Sequence, residues 1–215
     1  MSVVLYNYFR SSTSHRVRIA LELKGIAFGY EAVHLRRGEQ SSERFRSLNP
    51  QGLVPALTWT DGKIYTQSLA IIEFLDEVVP APPLLPSDPV AKARVRGLAY
   101  MIAMDIHPIN NLRVLGYLRR EFGADDAAIA RWFAQWVKEA FGPLEYRLAN
   151  EPETGVFCHG DQISLADICL IAQVTSNLRF NIDLSPYPTI QRVSLALSSI
   201  EAVRRAAPDE QPDSE

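Results

Sequence analysis

A proline-rich stretch in the middle of the chain, Pro80-Ala-Pro-Pro-Leu-Leu-Pro-Ser-Asp-Pro89, constrains its fold more than any other feature. It holds five of the 14 prolines in 215 residues. Proline fixes φ and removes a backbone donor, so neither a helix nor an interior strand runs comfortably through such a segment. It reads as an extended connection, and a chain of this length has room for one large domain or two small ones. The expected division is a domain at 1–80, a linker at 81–89 and a second domain at 90–215.

The two sides differ in pattern. Before the linker, Val3-Val4-Leu5-Tyr6 is short, apolar and β-branched or aromatic, as a buried strand requires. Ser14 to Lys24 has helical periodicity and stops at Gly25. Phe28 to Leu35 reads as a second strand. Pro55 to Thr60, Asp61-Gly62 and Lys63 to Thr66 read as a hairpin on an Asp-Gly turn. Gln67 to Val79 is helical, with Thr66 or Ser68 as the expected N-cap. The order is β-α-β-(α)-β-β-α.

After the linker there is no convincing strand. Ser87-Asp88-Pro89 is an N-cap followed by proline at the first helical position. A long helical pattern then meets Pro108, where a kink or restart is expected. Ala124 to Asn150 is helical with a bend expected at Gly142-Pro143. Ser164-Leu-Ala-Asp167 resembles a capping box opening a strongly apolar helix. Pro188 to Ala206 supplies one or two more helices, and the acidic, polar Asp209–Glu215 is expected to fray.

Charge and composition exclude several roles. The net charge is −3, without the basic excess that a nucleic acid or an anionic membrane attracts. No apolar run approaches the length of a membrane span, and the first ten residues lack a secretory pattern. Two cysteines, Cys158 and Cys169, cannot build a disulfide framework. The expectation is a cytoplasmic protein with no nucleic-acid or membrane partner. His15, His34, His107 and His159 are scattered without metal-ligand spacing, so no metal is expected.

Three local signals carry chemistry. The first 21 residues contain Arg10, His15, Arg16 and Arg18 and no acid, around a hydroxyl-rich Ser11-Ser12-Thr13-Ser14 at a helix start. Cations at the positive end of a helix make sense where an anion is to be held by N–H groups, hydroxyls and guanidinium. The competing reading is a capping serine with surface arginines. Second, Val54-Pro55 precedes the hairpin. A cis bond there would turn the Val54 backbone toward an extended peptide ligand, but an ordinary trans proline is the expectation from sequence. Third, Gln67-Ser68 opens a helix and either caps it or holds a ligand carboxylate.

Together these segments resemble the cytosolic glutathione transferases, and more narrowly the zeta class. Tyr8-Phe9-Arg10-Ser11-Ser12-Thr13-Ser14-His15-Arg16-Val17-Arg18-Ile19-Ala20-Leu21 is similar to the class signature S-S-C-x-[WH]-R-V-R-I-A-L. Further matches are Leu48-Asn49-Pro50, Val54-Pro55, Gln67 to Glu73, Ile106-His107-Pro108 with Asn111-Leu112, Leu165-Ala166-Asp167, Arg179-Phe180 and Asp183 to Pro188. The resemblance spans roughly residues 3 to 212. It implies the glutathione transferase fold, with an α/β thioredoxin-like N-terminal domain, an all-α C-terminal domain and a homodimer.

It also implies a glutathione-dependent cis–trans isomerase of a small maleyl diacid in aromatic catabolism. The diacid is maleylacetoacetate, with maleylpyruvate as the alternative. A transferase or dehalogenase acting on small α-halo acids is a further alternative, and a non-catalytic scaffold that keeps the fold is the third. Ser11, with Ser12 and Arg10, matches the catalytic positions. Ser11, Ser12, Thr13, Ser14, His15, Arg16, Gln40, Val54, Gln67 and Ser68 match glutathione-binding positions, as do His107, Asn111, Leu112 and Arg113 in the helical half. Arg10 and Arg179 match the positions that receive the substrate carboxylates. Thr13 departs from the cysteine usual in the class, which argues against protein-thiolate or glutaredoxin-like chemistry. Thr13 and His15 occur on the maleylpyruvate side of the family, whereas Leu112 stands where that side offers an arginine. The balance leans to maleylacetoacetate.

Overall fold

The structure, a computed structural model, describes residues 2–215. Its residues form two compact units. One runs to Leu84 and includes Ser198–Glu215; the other is Leu85–Leu197. The chain's last segment thus belongs with the N-terminal unit, although composition groups it with the helical half.

In the first unit the strands are β1 (Val4–Asn7), β2 (Gly29–Ala32), β3 (Ala56–Thr58) and β4 (Ile64–Thr66), in the sheet order β2-β1-β3-β4. β1 pairs parallel with β2, Leu5 opposite Tyr30, and antiparallel with β3, Leu5 opposite Leu57. The parallel pair needs a crossover, and helix α1 (Ser12–Leu23) supplies it. β3 and β4 form the expected hairpin, with Gly62 at φ 81° in its turn, a conformation that favours glycine. Helix α2 (Glu43–Leu48) and two single 3-10 turns, Leu35–Arg37 and Glu39–Ser41, fill the passage from β2 to β3. Helix α3 (Ser68–Val78) packs on α1. Leu5, Ile19, Leu21, Leu57, Ile71, Ile72 and Leu75 are buried in the core. A smaller cluster joins Tyr8, Phe9, Val33, Phe45, Val54 and Ala56, with Tyr6, Leu35 and Leu48 packed against it.

In the second unit α4 (Pro89–Ala103) starts at Asp88, whose carboxylate accepts from the Ala91 N–H at 2.8 Å, as Ser-Asp-Pro predicts. It packs on α7 (Leu165–Arg179). The break at Pro108 is present, and α5 (Leu112–Phe122) follows it. By contrast α6 (Asp126–Asn150) is one helix through Pro143. The box opening α7 is complete: Asp167 accepts from the Ser164 N–H and hydroxyl at 2.8 and 2.7 Å, and from the Cys158 N–H at 2.8 Å. Helix α8 (Pro188–Ser198) closes this half.

Helix α9 (Glu201–Arg205) packs on α1 in the first unit. The expected fraying after it does not occur. Pro208–Glu210 is a 3-10 turn, and the Gln211 amide donates to the Arg205 and Ala207 carbonyls, both at 2.8 Å. Asp213 accepts from the Tyr30 hydroxyl and, at 3.2 Å, from the Phe9 N–H. Asp213, within the stretch expected to fray, is instead the partner of polar groups just past β1 and on β2. Among the described residues no helix is long and apolar enough to cross a membrane, and no cluster of three His, Cys, Asp or Glu could hold a metal.

Candidate active site

The site is built where β1 hands over to α1. The helix begins at Ser12, two residues before the sequence periodicity suggests, because Ser11 itself is the N-cap. Its Oγ accepts from the Ser14 N–H at 3.2 Å, which satisfies one of the helix's orphan donors. With its oxygen so used, the Ser11 hydroxyl still has a proton to give. Thr13 Oγ1 lies 2.9 Å away and donates its own proton to the Val54 carbonyl at 3.1 Å. A carbonyl donates nothing, so the order is fixed: Ser11 donates to Thr13, and Thr13 donates to Val54. The first turn of α1 holds no acidic residue, leaving its positive end unneutralised from within.

The Val54–Pro55 peptide is cis, against the trans expectation. Nearby, Gly52 has φ 62°, and a Cβ there would come within 3.0 Å of the Gln40 carbonyl oxygen. Glycine therefore permits the 3-10 turn that carries Gln40 to lie close. Gln40 Oε1 is buried without a hydrogen-bond partner among the described residues, an acceptor waiting for a donor. The N-cap of α3 is Gln67, not Thr66 or Ser68. Its φ is 69°, it makes no side-chain capping bond, and its amide reaches Gln51 Oε1 at 3.2 Å. The first turn of α3 lacks an acid as well, so a second helix start offers N–H groups to an anion.

The cations at the helix start do not all face outward. Arg18 is fully buried and donates to Asn7 Oδ1 at 2.9 Å, to the Phe9 carbonyl at 3.0 Å and to the Ala206 carbonyl at 3.0 Å. Burial pulls its pKa down to about 10, so it stays cationic at neutral pH. Arg18 is thus spent on the backbone of the turn rather than on a ligand. Ser14, His15 and Arg16, carried over as glutathione contacts, are 0%, 2% and 1% exposed. Ser14 Oγ accepts from the Tyr8 N–H and braces strand to helix. All three side chains are buried. Ser11, Ser12, Thr13 and Arg10 are partly exposed and Gln67 is exposed, whereas Ser68 is buried at the start of α3. Arg10 lies over the Phe9 ring, 4.8 Å from its centre.

The remaining expected residues lie on the second unit. Asn111 caps α5, its oxygen accepting from the Arg113 and Val114 N–H groups at 3.0 and 3.1 Å and its amide donating to the Pro108 carbonyl at 2.8 Å. Its side chain is engaged at both ends. The segment around it is pinned to α6, with Trp132 Nε1 donating to the Ile109 carbonyl at 3.0 Å. His107 is partly exposed, and Leu112, Arg113 and Arg179 are exposed, Arg179 donating to Ser176 Oγ at 3.3 Å. Sequence reasoning missed Asp213 and Arg18 as organisers of the Ser11 turn. The absence of acids near three arginines was the signal, but it pointed to a ligand and not to backbone carbonyls.

A four-stranded mixed sheet with a serine-capped helix beside a cis-proline loop is the architecture of a thioredoxin-like domain, as in the N-terminal half of a glutathione transferase. A sequence model of the glutathione S-transferase N-terminal domain matches residues 10–78. A maleylpyruvate isomerase from Ralstonia is 51% identical over 98% of this chain and 99% of its own. Among solved structures, the holo form of a maleylpyruvate isomerase described as a bacterial zeta-class glutathione transferase superposes with a TM-score of 0.96. It is 50% identical and the match covers 99% of this chain and 100% of that one. A maleylacetoacetate isomerase from Methylobacterium extorquens, with bound malonate and glutathione, also gives 0.96, at 42% identity and 99% of each chain. The chain belongs to the zeta-class glutathione transferases, in the family of the maleylacetoacetate and maleylpyruvate isomerases.

Proposed function

We propose that this protein converts the cis double bond of a maleyl diacid to trans, with glutathione as a coenzyme that is returned unchanged. The observation that carries the reading is Ser11. It sits at an unneutralised helix N-terminus, its oxygen is fixed by the Ser14 N–H and its proton is held by a weak neutral acceptor, Thr13. An anion is a stronger acceptor than a neutral hydroxyl, so a thiolate placed there takes that proton's hydrogen bond. An ordinary thiol ionises near pH 8.5, and a hydroxyl donor with a helix N-terminus favours the ionised form.

When bound, glutathione supplies the sulfur nucleophile whose reversible addition makes the double bond single and free to rotate. The residues present fit it: Gln40 Oε1 lacks a donor, the Val54 backbone lies beside Thr13, and α3 begins with free capacity for a carboxylate at Gln67-Ser68. Arg10 and the Ser12 hydroxyl are suited to negative charge gathering on the substrate's carbonyl oxygen, and planar guanidinium to a substrate carboxylate. By their match to family positions, His107, Asn111, Leu112 and Arg113 are read as further coenzyme contacts and Arg179 as a receiver of a substrate carboxylate. The relative with bound malonate and glutathione supports a site that takes glutathione together with a small diacid. Cys158 and Cys169 are reduced and buried, in keeping with a cytoplasmic setting, and a two-fold homodimer is the expected assembly.

Maleylacetoacetate is the first reading for the substrate. Maleylpyruvate is the second, favoured by the 51% identity to a maleylpyruvate isomerase and by Thr13 and His15. The test follows both diacids in the ultraviolet with and without glutathione. Turnover only with glutathione, and recovery of the free thiol, support isomerisation. Equal rates without it refute the reading. Activity on dichloroacetate with none on either diacid replaces it with dehalogenation.

A further inference from the structure

We propose that Asp213, far along the chain, is a positioning residue for the site: with Arg18 it holds both backbone polar groups of Phe9, the N–H and the carbonyl, and so sets the turn that carries Arg10 and Ser11. The proposal rests on the reading of Ser11 and Arg10 given above.

β1 ends at Asn7 and the helical hydrogen bonds of α1 begin at the Ser11 carbonyl, so the backbone of residues 8–10 has neither a ladder nor a helix to satisfy it. Buried backbone groups must then find other partners. Phe9 is 1% exposed, which leaves little access for water. Its N–H is taken by Asp213 Oδ2 at 3.2 Å and its carbonyl by Arg18 at 3.0 Å. The Tyr8 carbonyl accepts from the Ser11 N–H at 2.9 Å and again from Arg18 at 3.4 Å. The clamp is closed from the other side as well, because Arg18 Nε also holds the Ala206 carbonyl at 3.0 Å, and Asp213 Oδ1 is fixed by the Tyr30 hydroxyl. Arg18 and Asp213 thus meet the same residue from α1 and from the tail, and neither is free to point elsewhere. The tail is part of the framework that aims Arg10 and the Ser11 hydroxyl.

Three variants and two readouts test this. Asp213→Ala removes the acceptor, Asp213→Asn keeps an oxygen for the Phe9 N–H, and Gln211→Ala loosens the tail at a point that does not touch the turn. Amide exchange is followed by mass spectrometry without any ligand, and kinetics with the diacid and glutathione. In Asp213→Ala, exchange at Phe9 is expected to be at least about tenfold faster, and kcat/KM for the diacid about tenfold lower, as for a catalytic group displaced by a fraction of an ångström. The thiolate arm of its pH profile moves to higher pH, because a loosened Ser11 stabilises the anion less. Asp213→Asn and Gln211→Ala stay within about threefold of the native rate. Native exchange and kinetics in Asp213→Ala overturn the proposal, and so does a Gln211→Ala variant whose kinetics are as damaged as those of Asp213→Ala while its exchange at Phe9 stays native. Ser11→Ala, run in parallel, separates the two ideas: if it turns over like the native protein the site reading fails, while the exchange at Phe9 still decides the clamp.

Discussion

The hydroxyl oxygens of Ser11 and Thr13 lie 2.9 Å apart, and the Val54 carbonyl that receives the Thr13 proton orders them. Thr13 is therefore an acceptor for Ser11, and its role at the site is to orient a neighbour. Thr13→Val keeps the shape and deletes the hydroxyl. It is expected to change kcat by no more than about threefold, against a loss of about tenfold at neutral pH for Ser11→Ala, the scale of one pKa unit lost in thiolate stabilisation. Equal losses in the two variants, measured in the same isomerisation assay, would make Thr13 the acting hydroxyl.

Asp167 holds three donors, the N–H groups of Cys158 and Ser164 and the Ser164 hydroxyl, while fully buried. Burial pushes its carboxyl above the usual range, and the bonds from Cys158 and Ser164 oppose the shift. Asp167→Ala leaves those donors without a partner at the start of α7. The expected cost is about 3 kcal/mol. It should be seen as a lower denaturant midpoint at unchanged slope.

Glu151 ties two arginines together, accepting from Arg147 Nε at 2.6 Å and from Arg94 Nε at 2.7 Å. The Arg147 hydrogen bond, with that of Arg94, holds its pKa below the ordinary 4.5. A depressed carboxyl contributes stability that is complete above the unfolded value and disappears as pH falls through the folded one. Glu151→Gln is therefore expected to be less stable than native by about 1 kcal/mol at neutral pH. The gap should close in acid. Thermal melts of both proteins across that range check the sign; a gap that widens in acid contradicts it.

Much of the fold was legible from local patterns. Val3 to Tyr6, the Asp61-Gly62 hairpin, Ser-Asp-Pro at the start of α4 and the Ser164–Asp167 box each follow from residues within a few positions of one another. Long-range relationships were hidden. Asp213 meets Phe9 and Tyr30 across the length of the chain, and its polar neighbourhood reads as solvated. The burial of Arg16 and Arg18 runs against the usual exposure of arginine, and only the unpaired carbonyls of the turn explain Arg18. The helix through Pro143 and the positive φ of Gln67 are likewise set by surroundings, not by local preference. At the site, the motif assigns Ser11, Thr13, Ser14, His15, Arg16 and Gln67 alike to the coenzyme, and it carries no signal that Ser14, His15 and Arg16 are buried while Ser11 and Thr13 are partly exposed and Gln67 exposed.

The central claim is that the β1–α1 junction stabilises a sulfur anion through Ser11. Its most direct test is an ultraviolet titration of thiolate with glutathione bound, in the native protein and in Ser11→Ala. The account predicts a native thiol pKa below the ordinary value of about 8.5, and a rise of about one unit on losing the hydroxyl. A native value at or above that of free thiol, or superimposable curves for the two proteins, would contradict it.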